Sequence, residues 1–238
     1  MADYTPSSKS INFINRARER GTYDQESVYR VLDQGLVSHV GFHSSKNADE
    51  GEAWPFVIPM IYGRIEDTVY LHGYMSGRLI KDLGKPTGPR TCITVTHVDG
   101  LVVALSSFHN SNNYRSVCVF GNSRLVTDPE EKLKALKAIN NHQFKGQDNW
   151  GAAREVNSTE LKTTNVIAVK IETASVKQRF GGPSDDKQDL MNEELLSKTW
   201  VGVVPIKTVL GAPIPADYNK APIPEYLQKF LEHSKETV

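Results

Sequence analysis

"YRSVCVFGNSRLV", residues 114–126, is apolar on both of its alternating sets, with Val117 and Val119 on one and Cys118 and Phe120 on the other. A strand with one wet face alternates apolar and polar residues. This stretch therefore predicts a strand covered on both sides, as in a barrel wall packed by helices. Upstream, "TCITVT" (91–96) alternates Ile93 and Val95 with threonines, the period of a half-buried strand. Asp99-Gly100 then predicts a hairpin turn, with residues 101–105 returning from it. Residues 36–43 and "WPFVIPMIY" (54–62) read as strands, and Glu66-Asp67 turns the chain into another at 68–72. Residues 166–172 alternate again, and "WVGVVPI" (200–206) is the last strand.

Helices are few. Asp24 is placed to cap a helix running to Gln34, with Val28, Val31 and Leu32 on one face and Gly35 behind its end. Leu133, Leu136 and Ile139 recur at helical spacing behind Asp128-Pro129. Gly51 and its acidic neighbours predict a loop, as does the glycine-rich stretch 179–189. Beyond Gly211 come Pro213, Pro215, Pro222 and Pro224, then a short helix at 226–233. About seven strands joined mostly by hairpins predict one antiparallel barrel, mainly β with flanking helices. The expected division is an N-terminal extension (1–20), a barrel domain (21–212) and a proline-rich tail (213–238).

The 238 residues carry 28 Lys and Arg against 28 Asp and Glu, so no global field draws the protein to nucleic acid or an anionic membrane. No apolar run approaches a membrane span, and the N-terminus has no signal-peptide core. Cys92 and Cys118 lie in strand-like runs without Cys-x-x-Cys spacing and read as buried free thiols in a reducing compartment. A cytoplasmic protein is expected.

"HGYMSGRLIKDL" (72–83) suggests a ligand. If a helix starts after Ser76, the hydroxyl caps it, and Arg78 and Lys81, three apart, lean toward the same end. A hydroxyl, a guanidinium and an ammonium then make an anion site suited to a phosphate monoester. The plainer alternative is a capped helix with two solvated basic residues. Gly73-Tyr-Met-Ser-Gly77 is not a hydrolase elbow, because the serine is misplaced and the sheet reads antiparallel. Pro55 and Pro59 each remove a ladder donor, which marks either a ligand-facing interruption or a simple edge strand. Arg115 and Ser116 open a long apolar strand and either add phosphate contacts or form a solvated strand end.

Three segments together resemble the flavin-nucleotide-binding split-barrel family related to pyridoxamine 5'-phosphate oxidase, nearest its nitroimidazole-resistance-like branch. They are "PFVIPMIYGRIEDTVYLHGYMSGRLIKDL", "CITVTHVDGLVVALSSFHNSNNYRSVCVFG" and "KQRFGGPSDDKQDLMNEELLSKTWVGVVPI". The resemblance runs from about residue 20 to 215. It implies a six-stranded antiparallel split β-barrel of FMN-binding type, a homodimer with FMN at the subunit interface. By it, Val57, Ile58, Pro59, Met60, Ile61 and Tyr62 would line the isoalloxazine through their backbone, with His72 and Gly73 beside the ring. Ser76, Arg78 and Lys81 would hold the ribityl phosphate, Arg115 and Ser116 would contribute, and Trp200 would cover the ring. In the family's oxidases Lys directly follows Arg, whereas Leu79 follows Arg78 here, so Lys81 stands as a substitute. The Arg-x-His pair with which those oxidases grip vitamin B6 is missing after Trp200.

The leading expectation is an FMN-dependent oxidoreductase acting on a small molecule, with His72 the candidate proton carrier. Haem binding is a second, with His39, His43, His72 and His109 as candidate axial ligands. A non-catalytic flavin or nucleotide carrier is a third. No metal site is expected apart from haem.

Overall fold

The structure, a computed structural model, describes residues 3–44 and 54–236. The expected loop at Gly51 lies outside them. Strands β1 (Gly21–Thr22), β2 (Ser38–His43), β3 (Pro55–Met60), β4 (Tyr62–Ile65) and β5 (Thr68–Tyr74) precede two long ones, β6 (Arg90–Val103) and β7 (Ser111–Leu125). They are followed by β8 (Thr164–Lys170), β9 (Thr173–Arg179) and β10 (Gly202–Pro205). All the pairings are antiparallel, in the order β3-β2-β6-β7-β8-β5-β4. β9 pairs with both β1 and β7, and β10 with β6. The sheet does not close into a ring: β3 and β4 are the ends of its path. Ten strand segments replace the expected six because short pairings and a break at Ile61 subdivide the framework.

Helix α1 (Gln25–Gln34) starts as expected, with the Asp24 carboxylate accepting from the Ser27 amide at 2.7 Å. Its Val28, Val31 and Leu32 enter the main core beside Ile93, Val95, Val117 and Val119. Helix α3 (Pro129–Gln143) closes a second core on Tyr70, Val166 and Ala168. It turns Ala135, Leu136 and Ile139 inward and leaves Leu133 exposed, correcting one position of the expected face. Helix α2 (Arg78–Leu83) packs on β5 and β8, and α4 (Asn149–Ala152) on α3. Helices α5 (Ser158–Thr163) and α6 (Glu193–Lys198) are short peripheral elements with no buried residue. Helix α7 (Glu225–Glu236) ends the tail, with Tyr226 and Phe230 edge-on to Phe144.

The predicted hairpin at Asp99-Gly100 does not form. β6 runs straight through it, with only a register shift between Val98 and Gly100. The residue types have other uses: Asp99 binds Arg115, and Gly100 lets β10 approach. A Cβ at Gly100 would stand 3.1 Å from both Val203 Cγ1 and the Val204 carbonyl oxygen. The chain turns instead at 104–110, where the Asn110 side-chain oxygen accepts from the Ala104 amide at 2.9 Å. β7 is sealed on its Val117/Val119 face, but Cys118 and Phe120 on the other are only half-buried. That outer face is shared with Thr94, Ser116 and Ser175, too polar a set to demand a covering helix. The N-terminal segment is tied to the barrel: the buried Asn12 amide donates to the carbonyls of Tyr4 (2.7 Å) and Ala174 (2.8 Å).

Candidate flavin site

β3 is an edge strand, which is where a chain tolerates prolines at 55 and 59. Phe56, Ile58 and Met60 face the core, while Val57 and Pro59 point outward and Val57 is 66% exposed. The ladder breaks at Ile61, between β3 in one half of the sheet and β4 in the other. The β4–β5 register ends with Tyr62 opposite Leu71, so His72, Gly73 and Tyr74 run on without a β4 partner. Their other side pairs with Val166, Asn165 and Thr164 of β8. The split in the barrel is therefore flanked by β3, the Ile61 crossing and the end of β5. Tyr62 belongs to the protein interior: its side chain is fully buried, and its hydroxyl donates to the Leu32 carbonyl at the end of α1.

Ser76, Arg78 and Lys81 follow β5 and are all exposed. The N-cap of α2 is Gly77, with no side-chain cap bond, so Ser76 does not cap the helix as expected. With six residues, α2 also offers little helix-end charge, and any anion affinity rests on the side chains. The Arg78 guanidinium lies over the Phe56 ring, and neither Arg78 nor Lys81 has an acidic partner among the described residues. Asp82, one residue from Lys81, is buried and bonds Lys85 at 2.9 Å. Gly73 packs close to α2, its Cβ position 3.0 Å from Ile80 Cγ1.

The imidazole of His72 is half-buried, and its Nδ1 is buried with no hydrogen-bond partner among the described residues. Burial holds its pKa below the ordinary histidine value, so the neutral ring dominates near pH 7.

Other predicted site residues fall elsewhere in this chain. Arg115 grips Asp99 bidentately, Nε to Oδ2 at 2.9 Å and Nη2 to Oδ1 at 2.7 Å, and also donates to Gln34. That carboxylate raises the arginine pKa further. Ser116 donates to the Lys177 carbonyl at 3.1 Å. Phe56 aligns through β2 and β6 with the Phe120–Gly121 region of β7. Arg115 lies five to six residues further along that strand, roughly 20 Å at ~3.3 Å per residue. Trp200 flanks β10, whose Gly202 pairs with Val103, at the far end of β6 from Cys92. The chain thus gathers Val57 to Ile61, His72, Gly73, Ser76, Arg78 and Lys81 at the split, and leaves Arg115, Ser116 and Trp200 remote. Sequence reasoning missed Phe56 as the platform beneath Arg78; an aromatic facing inward beside Pro55 was the available signal.

His97 Nε2 lies 3.1 Å from the Val31 carbonyl and His142 Nε2 lies 2.6 Å from that of Gly35, so both rings are engaged. His39 and His43 are exposed without hydrogen bonds among the described residues. His109 has a buried, unpartnered Nδ1 and places Nε2 4.0 Å from Asp186. Cys92 and Cys118 are free thiols in hydrogen-bonding contact diagonally across β6 and β7. This contact lowers the Cys118 pKa to about 7 and pushes Cys92 up.

An open antiparallel barrel with flanking helices is the fold of the split-barrel proteins, flavin-binding ones among them. The sequence model of the pyridoxamine 5'-phosphate oxidase family matches residues 24–178, and the chain belongs to that family. Among solved structures, the flavocytochrome Anf3 from Azotobacter vinelandii is 34% identical over 92% of this chain and 95% of its own, with a TM-score of 0.79. The FAD and haem binding protein from Mycobacterium smegmatis is 26% identical over 89% of this chain and 97% of its own, with a TM-score of 0.76. A Bacteroides thetaiotaomicron protein assigned to 5-nitroimidazole antibiotic resistance shares the fold, at 24% identity over 65% of this chain and 83% of its own, with a TM-score of 0.51. No curated protein sequence matches significantly. No helix among the described residues is long and apolar enough to cross a membrane.

Proposed function

We propose that this protein binds a flavin nucleotide at the split, FMN being the smallest that satisfies the site, and acts as a flavin-dependent oxidoreductase on a small molecule. The observation that carries the reading is the pair Arg78 and Lys81: with Ser76 they stand beside an open strand edge, lacking acidic partners among the described residues. They would hold the phosphate by charge-assisted hydrogen bonds. The free edge of β3 and the Ile61 break would meet the ring through backbone groups, and Gly73 keeps the approach narrow. When bound, the flavin supplies the redox chemistry by exchanging electrons with the small molecule. His72, whose ring is kept neutral by burial, is suited to hold or pass a proton at Nδ1, which has no hydrogen-bond partner among the described residues. Vitamin B6 is disfavoured as substrate because the residues after Trp200 offer no Arg-x-His grip.

Haem as a second group is favoured by one observation: among the described residues His39 and His43 lack hydrogen-bond partners and His72 and His109 keep an unpartnered nitrogen, so four imidazoles are axial candidates. The 34% identical flavocytochrome supports the same combination. A homodimer is part of the reading, since Trp200 is remote within one chain and would reach a flavin only from a second copy. Balanced charge and two free thiols favour a cytoplasmic setting.

The test is to purify the protein without added cofactor, record its visible spectrum, and identify the heat-released ligand by mass. Flavin absorbance with released FMN or FAD is the expected result, and a Soret band would add haem. A colourless protein that fails to bind either flavin on titration would overturn the proposal.

A further inference from the structure

The glycine-rich loop that follows β9 is remote from Phe56 and Arg78 within one chain, and a cavity opens beside it. Its volume is about 440 Å³, within the range of small-molecule sites, and its lining includes Arg20, Gln178, Arg179, Phe180, Gly182 and Ser184. Arg179 is only 7% exposed, and a buried guanidinium ordinarily requires a carboxylate. Its partners among the described residues are all neutral. Nη1 donates to Asn113 Oδ1 at 2.6 Å and to the Gly181 carbonyl at 3.2 Å, and Nη2 donates to the Gly182 carbonyl at 2.7 Å. Arg179 forms no salt bridge among the described residues, so its charge is fixed in place but uncompensated.

Three of the five guanidinium N–H groups are used by these bonds. Nε and one Nη2 hydrogen remain to be satisfied. The backbone of the adjoining loop is open: a Cβ at Gly181 (φ +94°) or at Gly182 would meet nothing within 4 Å. A bound group can therefore approach the main chain closely. Arg20 adds a second positive charge at the rim, and Glu19, 72% exposed and 3.6 Å from Arg20, offsets one of the two. The cavity keeps a net charge of about +1, centred on its buried end.

We propose that this cavity is a second ligand site, which takes the carboxylate or phosphate group of a small organic molecule onto Arg179. Within one chain the site lies away from the flavin groove. Arg179 pairs with Tyr114 on β7, at the opposite end of that strand from the region aligned with Phe56. The Phe180 ring, 62% exposed on the cavity wall, gives the apolar part of such a molecule a surface.

The experiment is calorimetric titration with inorganic phosphate and, separately, succinate, at constant ionic strength, on wild-type protein, Arg179→Gln and Gly182→Leu, each first saturated with FMN so that the Arg78 cluster is occupied. Gly182 lacks a positive φ and has space around it, so a leucine there fills the cavity without disturbing the fold. The expected result is saturable binding of at least one probe, weakened at least tenfold by Arg179→Gln and Gly182→Leu. The tighter probe tells phosphate from carboxylate. Should Arg179→Gln fail to fold, Gly182→Leu decides. Absence of saturable binding, or binding kept at wild-type strength in Gly182→Leu, would overturn the proposal. Flavin affinity in Gly182→Leu should match wild type; a parallel loss would make the cavity part of the flavin site and also overturn it.

Discussion

The guanidinium carbon of Arg78 stands 4.6 Å from the centre of the Phe56 ring, joining the first turn of α2 to an edge strand in the other half of the sheet. The contact spans the split and orients a cation that no carboxylate among the described residues restrains. An aromatic face attracts a cation without neutralising it, so the charge stays available to a ligand.

Arg78→Ala should therefore weaken flavin binding by about 1.5–3 kcal/mol, the usual worth of a hydrogen bond to a charged group. Fluorescence titration of released flavin onto the folded variant measures it. Phe56→Leu, which keeps the apolar bulk, should cost less, about 0.5–1 kcal/mol. Unchanged affinity in Arg78→Ala would remove the residue from the phosphate site.

Arg115→Ala should act on stability and not on the ligand. Its side chain is spent on Asp99 and Gln34, about a quarter exposed, and its loss strands the carboxylate. A decrease of about 1–3 kcal/mol in unfolding free energy is expected, read from urea midpoints, with flavin affinity within about threefold of wild type. A larger affinity loss at full stability would restore the family-based role for Arg115.

Lowering the pH should destabilise the protein. Burial depresses the pKa values of His72, His97 and His142, so below the ordinary histidine pKa the unfolded chain takes up protons that the folded chain resists. Their contribution is neutral well above that value, turns unfavourable as pH falls through about 6.5, and levels off below the folded-state pKa values. Urea midpoints at pH 8, 6.5 and 5 should decline in that order. His142→Gln should flatten the decline, and an identical slope in that variant would exclude its burial as a cause.

Tyr62→Phe should cost about 1–2 kcal/mol, because the fully buried hydroxyl donates to the Leu32 carbonyl and lies 3.3 Å from that of Gly35. Flavin affinity should hold, since only the Tyr62 backbone faces the split. Thermal unfolding of apo and flavin-loaded samples separates the two effects.

Periodicity made most of the framework legible. The inner faces of β6 and β7, the Asp24 cap and the edge character implied by Pro55 and Pro59 depend on neighbours in sequence and could be read there. Asp99-Gly100 misled because a turn dipeptide and a close-packing glycine look alike until the partner strand is known; β10 lies a hundred residues away in the chain. Leu133 misled because apolar spacing fixes a helix face only to within one neighbouring position. At the site, Ser76, Arg78 and Lys81 fell on the β5–α2 corner, though Gly77 and not Ser76 caps the helix. Arg115 and Trp200 did not join them, because their placement depends on long-range register and on a carboxylate sixteen residues from Arg115 that claims its guanidinium.

Ile61 alone separates the ladder of β3 from that of β4, and a one-residue connection leaves no slack. Tyr62, on its far side, is anchored to the end of α1, while Met60, on its near side, is paired to Ser38. The width of the split is thus set by covalent length, as the gap of a calliper is set by its pivot. A molecule too thick for that gap must strain both ladders at once, so the barrel would select its ligand first by flatness and only then by charge.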